Sequence, residues 1–293
     1  MKYIVELVML VPALLYGQVL DGVRQDIVKI FEPVAGTFAV AFEHLDGKGA
    51  IAINDTMMFH AASTMKTPVM VEVFKQARAG KFALDDALVV RNEFKSIVDG
   101  SSYQLDLKDD SDDSMYKILG SSVPIRELLH HMITVSSNLA TNVLIDLVGP
   151  KNVTATMREL GASEIQVLRG VEDSKAFDRG MNNRTSARDL LFILRAIARG
   201  KAVDSLASRE MVDILLDQKF NEMIPALLPE GVRVAHKTGN ITGVEHDSAI
   251  VFLPDGRVYV LVILSKDLKA AAEGRKAIAL ASKRIYDYMV QGK

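Results

Sequence analysis

Apolar positions change their period twice along the chain. Residues Gln18–Glu32 carry Val19, Val23, Ile27, Ile30 and Phe31 at helical spacing, and Pro33 and Gly36 close the segment. Thr37–Leu45 then alternates, with Phe38, Val40 and Phe42 on one face, which predicts a strand. Asp46-Gly47 supplies a turn and Ala50–Ile53 pairs back. From Ser63 to about Ala198 the period is helical. Ile125, Leu128, Leu129, Met132 and Ile133 follow Pro124 at a first-turn position. Leu190, Leu191, Ile193, Leu194 and Ile197 follow Thr185-Ser186. Beyond Leu228 alternation returns. Val232–Thr238, Ser248–Leu253 and Arg257–Leu264 read as strands, Pro254-Asp255-Gly256 turns between the last two, and Ala270–Val290 reads as a closing helix.

Two early and three late strands can share one antiparallel five-stranded sheet covered by both terminal helices, with the helical middle inserted as a second lobe. The expected fold class is therefore α+β, a single domain of residues 18–293. Its α/β lobe comprises 18–60 and 205–293, and its helical lobe 61–204. The polar stretch Asp99–Ser122 is the one long irregular segment, expected as a functional loop or an insertion at the rim of a cleft. Residues 1–17 place one lysine ahead of a short apolar run. That run is shorter than the ~20 residues a membrane span needs and fits the apolar core of an export signal. An amphipathic first helix of a cytosolic chain is the alternative.

Charge and composition narrow the chemistry. Lys and Arg number 35 against 37 Asp and Glu, a net charge of −2, so no basic excess is available to neutralise a nucleic-acid backbone. There is no cysteine among the 293 residues. Disulfides, thiolate-held zinc, iron–sulfur clusters and a cysteine nucleophile are excluded together. A nucleophile, if there is one, must be oxygen or nitrogen.

Three short motifs then matter. Ser63-Thr64-Met65-Lys66 opens an apolar-periodic helix (Val69, Met70, Val73, Phe74), so the amine of Lys66 can lie on the face that carries the Ser63 hydroxyl. A Ser-x-x-Lys is expected roughly once by chance in a chain of this length, and Ser114-Met115-Tyr116-Lys117 also matches, within a run of aspartates expected to be solvated. Ser136-Ser137-Asn138 lies between two helical patterns, either as an ordinary helix cap or as a loop aimed into a cleft. Lys237-Thr238-Gly239 ends a predicted strand, with Lys237 and Gly239 on one face and Thr238 on the other.

In that order the three motifs are the set of class A β-lactamases and penicillin-binding proteins, and the chain resembles that superfamily from about Gly36 to the final helix. The resemblance implies an α/β sandwich with an inserted helical lobe, and it implies roles. Ser63 would be acylated, with Lys66 as base or proton relay, kept neutral by Lys237 and by desolvation. Ser136 would pass a proton to the leaving nitrogen, and Asn138 would position the substrate amide. Lys237 and Thr238 would hold the substrate carboxylate, with Gly239 letting substrate approach the strand. The backbone N–H groups of Ser63 and Asn240 would form the oxyanion hole. Arg169-Gly170-Val171-Glu172-Asp173 stands where the family carries its deacylating glutamate, so Glu172 is the candidate base, or alternatively a surface carboxylate paired with Arg169.

The chain also departs from the family pattern. Ser137 replaces the usual aspartate of Ser-Asp-Asn. No asparagine lies four residues beyond Glu172, so Asn182 or Asn183 is expected to substitute. Glu245-His246-Asp247 replaces an arginine-bearing strand start, where His246 or Asp247 touches substrate or caps the strand. His60, His130, His131 and His236 read as structural. No metal or other cofactor is expected: an EF-hand loop counted from Asp110 would have Met115 where glycine is required and Ser121 where glutamate is required. The implied partner is a small β-lactam or acyl-D-Ala-D-Ala-type substrate, with the chain expected as an exported monomer. The activity follows as β-lactam hydrolysis through a Ser63 acyl-enzyme. A D,D-peptidase or related ester hydrolase, or a penicillin-binding protein without turnover, is the competing reading.

Overall fold

The computed structural model describes residues 19–291, so the expected export signal lies outside the described residues. A helix over residues 19–31 leads into the strand Thr37–His44, which turns back into Ala50–Ile53. Three further strands, Arg233–Ile241, Val244–Phe252 and Val258–Lys266, complete one sheet, and the helix Ala271–Gln291 closes the chain. Taken by first residue, the strands lie in the order 50, 37, 258, 244, 233, every neighbour antiparallel. Arg233–Ile241 is therefore an edge strand.

Strand alternation divides the core in two. In the first strand Phe38, Val40 and Phe42 face one way and pack with Val23, Ile27, Ile278 and Ile285 of the two terminal helices. Ala39 and Ala41 face the other way, where their small side chains let the helix Ala187–Ala198 settle against the sheet. Leu190, Leu194 and Ile197 enter that second cluster, which continues through the helices Lys66–Arg78, Ile125–Thr134, Asn138–Val148, Pro150–Glu159 and Ser205–Leu216. Side-chain caps start three of these helices. Ser186 accepts from the Asp189 N–H, Ser137 from Ala140 and Asp204 from Ala207.

The structure departs from the periodicity in two places. Between the helices of the middle run three short ribbons, pairing Phe59–His60 with Arg184–Thr185, Ala87–Val89 with Ser122–Pro124, and Phe94–Lys95 with Ser102–Tyr103. Val90, Phe94, Leu105 and Met115 anchor these irregular stretches in the core, and their spacing imitates a helix. The late strands also run longer than predicted. Val244–Phe252 begins early through buried Glu245, His246 and Asp247, which interrupt the apolar alternation on which the sequence reading depends, and Arg233–Ile241 runs past Thr238 through Gly239 and the exposed Asn240 and Ile241.

Candidate active site

Ser63 sits in a 3-10 turn, Ala62–Met65, that runs directly into the helix Lys66–Arg78. The turn is braced on its approach, where the Ala61 N–H donates to the Asn183 carbonyl at 2.8 Å and the Ala61 carbonyl accepts from Thr64 N–H. Ala62, just ahead of the serine, has φ +44°. A non-glycine residue in this region costs about 1–3 kcal/mol and persists only where its surroundings over-determine it. Ser136 (φ +59°) and Glu172 (φ +62°) share the trait. Three of the five non-glycine residues at positive φ among the described residues thus gather around one cleft, the others being Asn54 and Asp267.

The sheet braces the serine turn from behind. His246 is fully buried, its Nε2–H donating to the His60 carbonyl at 2.9 Å and its Nδ1 accepting the Ser265 N–H at 3.1 Å. Such a ring is neutral, and burial holds its pKa down to about 4. Asp247 accepts the Ile224 N–H at 3.0 Å and pairs with His236 at 3.0 Å. Both residues lie inside a strand that already begins at Val244. Their roles are internal, neither capping the strand nor lining the cleft.

Lys66 is wholly buried. Its Nζ donates to the Ser136 carbonyl at 2.7 Å, the Ser136 hydroxyl at 3.1 Å and Asn138 Oδ1 at 2.8 Å, three acceptors for the three N–H bonds of an ammonium. Burial lowers its pKa to about 7, against the raising pull of Asp110 and Glu172. Lys237, also buried, donates to the same Ser136 hydroxyl at 3.0 Å and to the Thr238 carbonyl at 2.9 Å. Its pKa falls well below the usual lysine value through burial first and the Lys66 charge second. Repulsion between the two lysines is mutual, so the charged form of each disfavours the charged form of the other. Flanked by two N–H donors, the Ser136 oxygen has its own proton free to point elsewhere.

Glu172 opens on the same cleft from the loop that follows Arg169. Asn138 Nδ2 donates to Glu172 Oε1 at 3.2 Å. Protein packed behind the carboxylate raises its pKa, followed by the charges of Asp109 and Asp110, with Lys66 and Arg169 opposing. Arg169 directs its guanidinium to the Met181 and Gly170 carbonyls and to Asn182 Oδ1, so it holds the loop and leaves Glu172 to Asn138. Asn183 accepts the Leu168 and Arg169 N–H groups at 2.8 and 3.2 Å. The two asparagines expected to stand in beside Glu172 therefore secure the neck of its loop. Asn142 and Asp173, neither singled out in the sequence, hold its body. Asn142 accepts the Val171 N–H at 2.7 Å, and Asp173 accepts from Ser96 and the Ile97 N–H.

Across the cleft runs the edge strand. A Cβ on Gly239 would stand 2.9 Å from the Thr64 nitrogen and 3.0 Å from the Ser63 nitrogen, so only glycine lets this strand lie against the serine turn. Ser63, Asn138, Glu172 and Asn240 line a cleft of about 560 Å³, with Lys66 and Lys237 buried beneath it. Its outer wall carries Phe177, 54% exposed, and Ile241, 41% exposed. The second Ser-x-x-Lys forms a separate helical turn, with Ser114 bonded to Asp112 and Lys117 to Asp113. The acidic stretch around it is not simply solvated. Asp109 lines the cleft, Asp112 and Met115 are buried, and Asp110 receives backbone N–H groups from the Asn138 helix. Among the described residues no group of three or more imidazole or carboxylate side chains is arranged to hold a metal ion, and no helix is long and apolar enough to cross a membrane.

This arrangement can carry acyl transfer. It combines a hydroxyl on a rigid turn, a buried amine with a pKa of about 7, a hydroxyl between two buried lysine amines, and a carboxylate tied to the first amine through one amide. The sequence model of the Beta-lactamase enzyme family matches residues 22–289. Extended-spectrum β-lactamase PER-1 of Pseudomonas aeruginosa is 25% identical over 270 residues, 87% of this chain and 83% of that protein. Among solved structures, a PBP-A mutant in its acyl-enzyme complex with penicillin G superposes with a TM-score of 0.80 at 27% identity, covering 93% of this chain and 97% of that one. A β-lactamase from Sphaerobacter thermophilus shares the fold with a TM-score of 0.78 at 24% identity, covering 93% of this chain and 98% of that one.

Proposed function

The chain belongs to the Beta-lactamase enzyme family and is a serine β-lactamase of the class A type, and we propose that Ser63 forms its acyl-enzyme and that Glu172 activates the water that resolves it. One observation carries the assignment. The Asn138 amide bonds Lys66 through its oxygen and Glu172 through its nitrogen, in the cleft that Ser63 lines.

The steps follow from the geometry. The Ser63 hydroxyl gives up its proton to a neutral Lys66, directly or through water and Glu172, and its oxygen adds to the lactam carbonyl. The Ser63 and Asn240 N–H groups take the charge that develops on the carbonyl oxygen; loss of one such donor typically lowers the rate ~100-fold or more. As the C–N bond breaks, Ser136 donates its proton to the leaving nitrogen and is reprotonated from the lysine pair. Water, deprotonated by Glu172, then adds to the ester, and as the ester C–O bond breaks the Ser63 oxygen takes up the proton that Glu172 removed, directly or by way of Lys66. Lys237 and Thr238 attract the substrate carboxylate, and Gly239 lets substrate lie along the edge strand. We read the α/β lobe (18–60, 205–293) and the helical lobe (61–204) as one catalytic unit, and the apolar run in residues 1–17 as supporting export.

Purified protein mixed with a chromogenic cephalosporin, with intact mass followed in parallel, tests this reading. Fast hydrolysis with a transient adduct on Ser63 is expected. A persistent adduct without turnover points to a peptidase or a non-hydrolysing penicillin-binding protein, and no adduct at all removes the site.

A further inference from the structure

Helix Asn138–Val148 begins at the site, and its first N–H groups need acceptors that the preceding helical turn cannot supply. Ser137 accepts from Ala140 at 3.2 Å. The other two donors find Asp110, a residue of the acidic loop 28 positions before Asn138. Its carboxylate accepts the Asn138 N–H at 3.0 Å and the Leu139 N–H at 2.9 Å, and also the Tyr116 hydroxyl at 3.2 Å. The same loop grips the segment at three more points. The Asp109 carbonyl accepts from Asn138 Nδ2 at 3.1 Å, Ser111 donates to the Val135 carbonyl at 2.6 Å, and Asp112 pairs with His131 at 2.7 Å. The segment held in this way contains Ser136, in its left-handed conformation, and Asn138, the two residues whose oxygens receive Lys66.

We propose that Asp110 is a positioning residue for the reaction: its carboxylate fixes the first turn of the Asn138 helix so that Ser136 and Asn138 present their oxygens to Lys66. It supplies from a distant loop the anion that Ser137, a neutral residue, does not bring to this helix start. The proposal rests on the roles given above to Lys66, Ser136 and Asn138.

The test measures acylation of Ser63 by a chromogenic cephalosporin in single-turnover mixing, first in the wild type across pH, then in Asp110→Asn. Loss of a charge-assisted hydrogen bond corresponds to roughly 10- to 100-fold in rate, and a decrease of that size is expected in Asp110→Asn. Removing one of the two anions that hold the Lys66 proton, with Glu172 still present, also moves the acid limb of the acylation profile to lower pH. Adding Ser137→Asp, which returns a carboxylate to the helix start, restores both rate and limb. If Asp110→Asn fails to fold, Asp110→Glu replaces it: the charge is kept but displaced by a methylene, so the limb stays while the rate falls. An unchanged rate in Asp110→Asn overturns the proposal. So does a lower rate with an unmoved limb and no rescue, which is the behaviour of a structural residue. Absence of any Ser63 adduct in the wild type instead overturns the active-site reading, and this proposal with it.

Discussion

Asn138 Nδ2 lies 3.2 Å from Glu172 Oε1, while the oxygen of the same amide lies 2.8 Å from Lys66 Nζ. The two charges fix the amide's orientation, because an ammonium can only donate and a carboxylate can only accept. One neutral side chain thereby links the group proposed for acylation to the group proposed for deacylation. Substrate entering the cleft meets this link between them.

Replacement of Glu172 by Gln keeps the shape and an oxygen for Asn138 to bond, but removes the base. General-base catalysis is typically worth ~10²–10⁴-fold, and deacylation is expected to slow by that order. Intact mass should then show the Ser63 adduct as the main species during turnover of a penicillin. A variant that hydrolyses at the wild-type rate would remove Glu172 from the mechanism.

The pH dependence of acylation separates lysine from glutamate. Only the neutral amine has a lone pair to take the serine proton, so a rate limited by Lys66 rises with pH through about 7, the value set by burial. The Glu172 carboxyl is also pushed upward, and it too acts only when deprotonated. Acylation measured in Glu172→Gln decides between them. An acid limb that persists, moved to lower pH because Lys66 has lost the Glu172 charge, belongs to Lys66; one that disappears belongs to the carboxylate.

How much of this was legible in the sequence follows from how local each signal is. The sheet and the helix Ala187–Ala198 were readable because Phe38, Val40 and Phe42, or Leu190, Leu194 and Ile197, repeat at the period of the element that buries them. The three motifs were readable because Ser63 and Lys66, Ser136 and Asn138, or Lys237 and Gly239 are each close in sequence. Asp110 was not readable, since its partners Asn138 and Leu139 lie beyond an irregular loop and nothing periodic joins them. His246 and Asp247 were left open for a related reason. Their partners His60 and Ile224 come from other parts of the chain, and a buried polar residue breaks the very alternation that would mark its strand.

Gly239→Ala tests the close approach of the edge strand to the nucleophile. The added methyl would meet backbone nitrogens of Ser63 and Thr64, which cannot rotate away as a flexible side chain would. The turn must shift, and with it the Ser63 N–H proposed for the oxyanion hole. Acylation is expected to slow on the order of 100-fold, with a thermal midpoint lowered by only a few degrees. Rapid-mixing kinetics alongside calorimetry would show the imbalance. Wild-type acylation in this variant would mean that the strand does not set the position of the turn.

Asn142 offers the complementary test, on the loop that carries Glu172. It is almost fully buried, accepts the Val171 N–H at 2.7 Å, and donates to the Val171 carbonyl at 3.0 Å and the Tyr103 hydroxyl at 3.3 Å. Asn142→Ala strands the Val171 N–H in a half-buried position and leaves the Val171 carbonyl to the Tyr103 hydroxyl, 3.2 Å away. An unsatisfied group of this kind costs about 1–3 kcal/mol, a substantial fraction of the ~5–15 kcal/mol that typically stabilises a domain. The chain should still fold, with a thermal midpoint several degrees lower. The kinetic effect should be selective. Ser63, Lys66 and Ser136 are held by the Ala61 turn, the Asn138 amide and Lys237, none of which involves Asn142, so acylation should stay near the wild-type rate. Glu172 is the next residue after Val171 and sits at positive φ, so its carboxylate depends on how firmly the backbone before it is held. Deacylation should therefore slow at least tenfold, and the adduct should accumulate. Equal losses in both steps would show that the loop and the serine turn respond as one body, and would remove the separation of acylating and deacylating groups on which the mechanism rests.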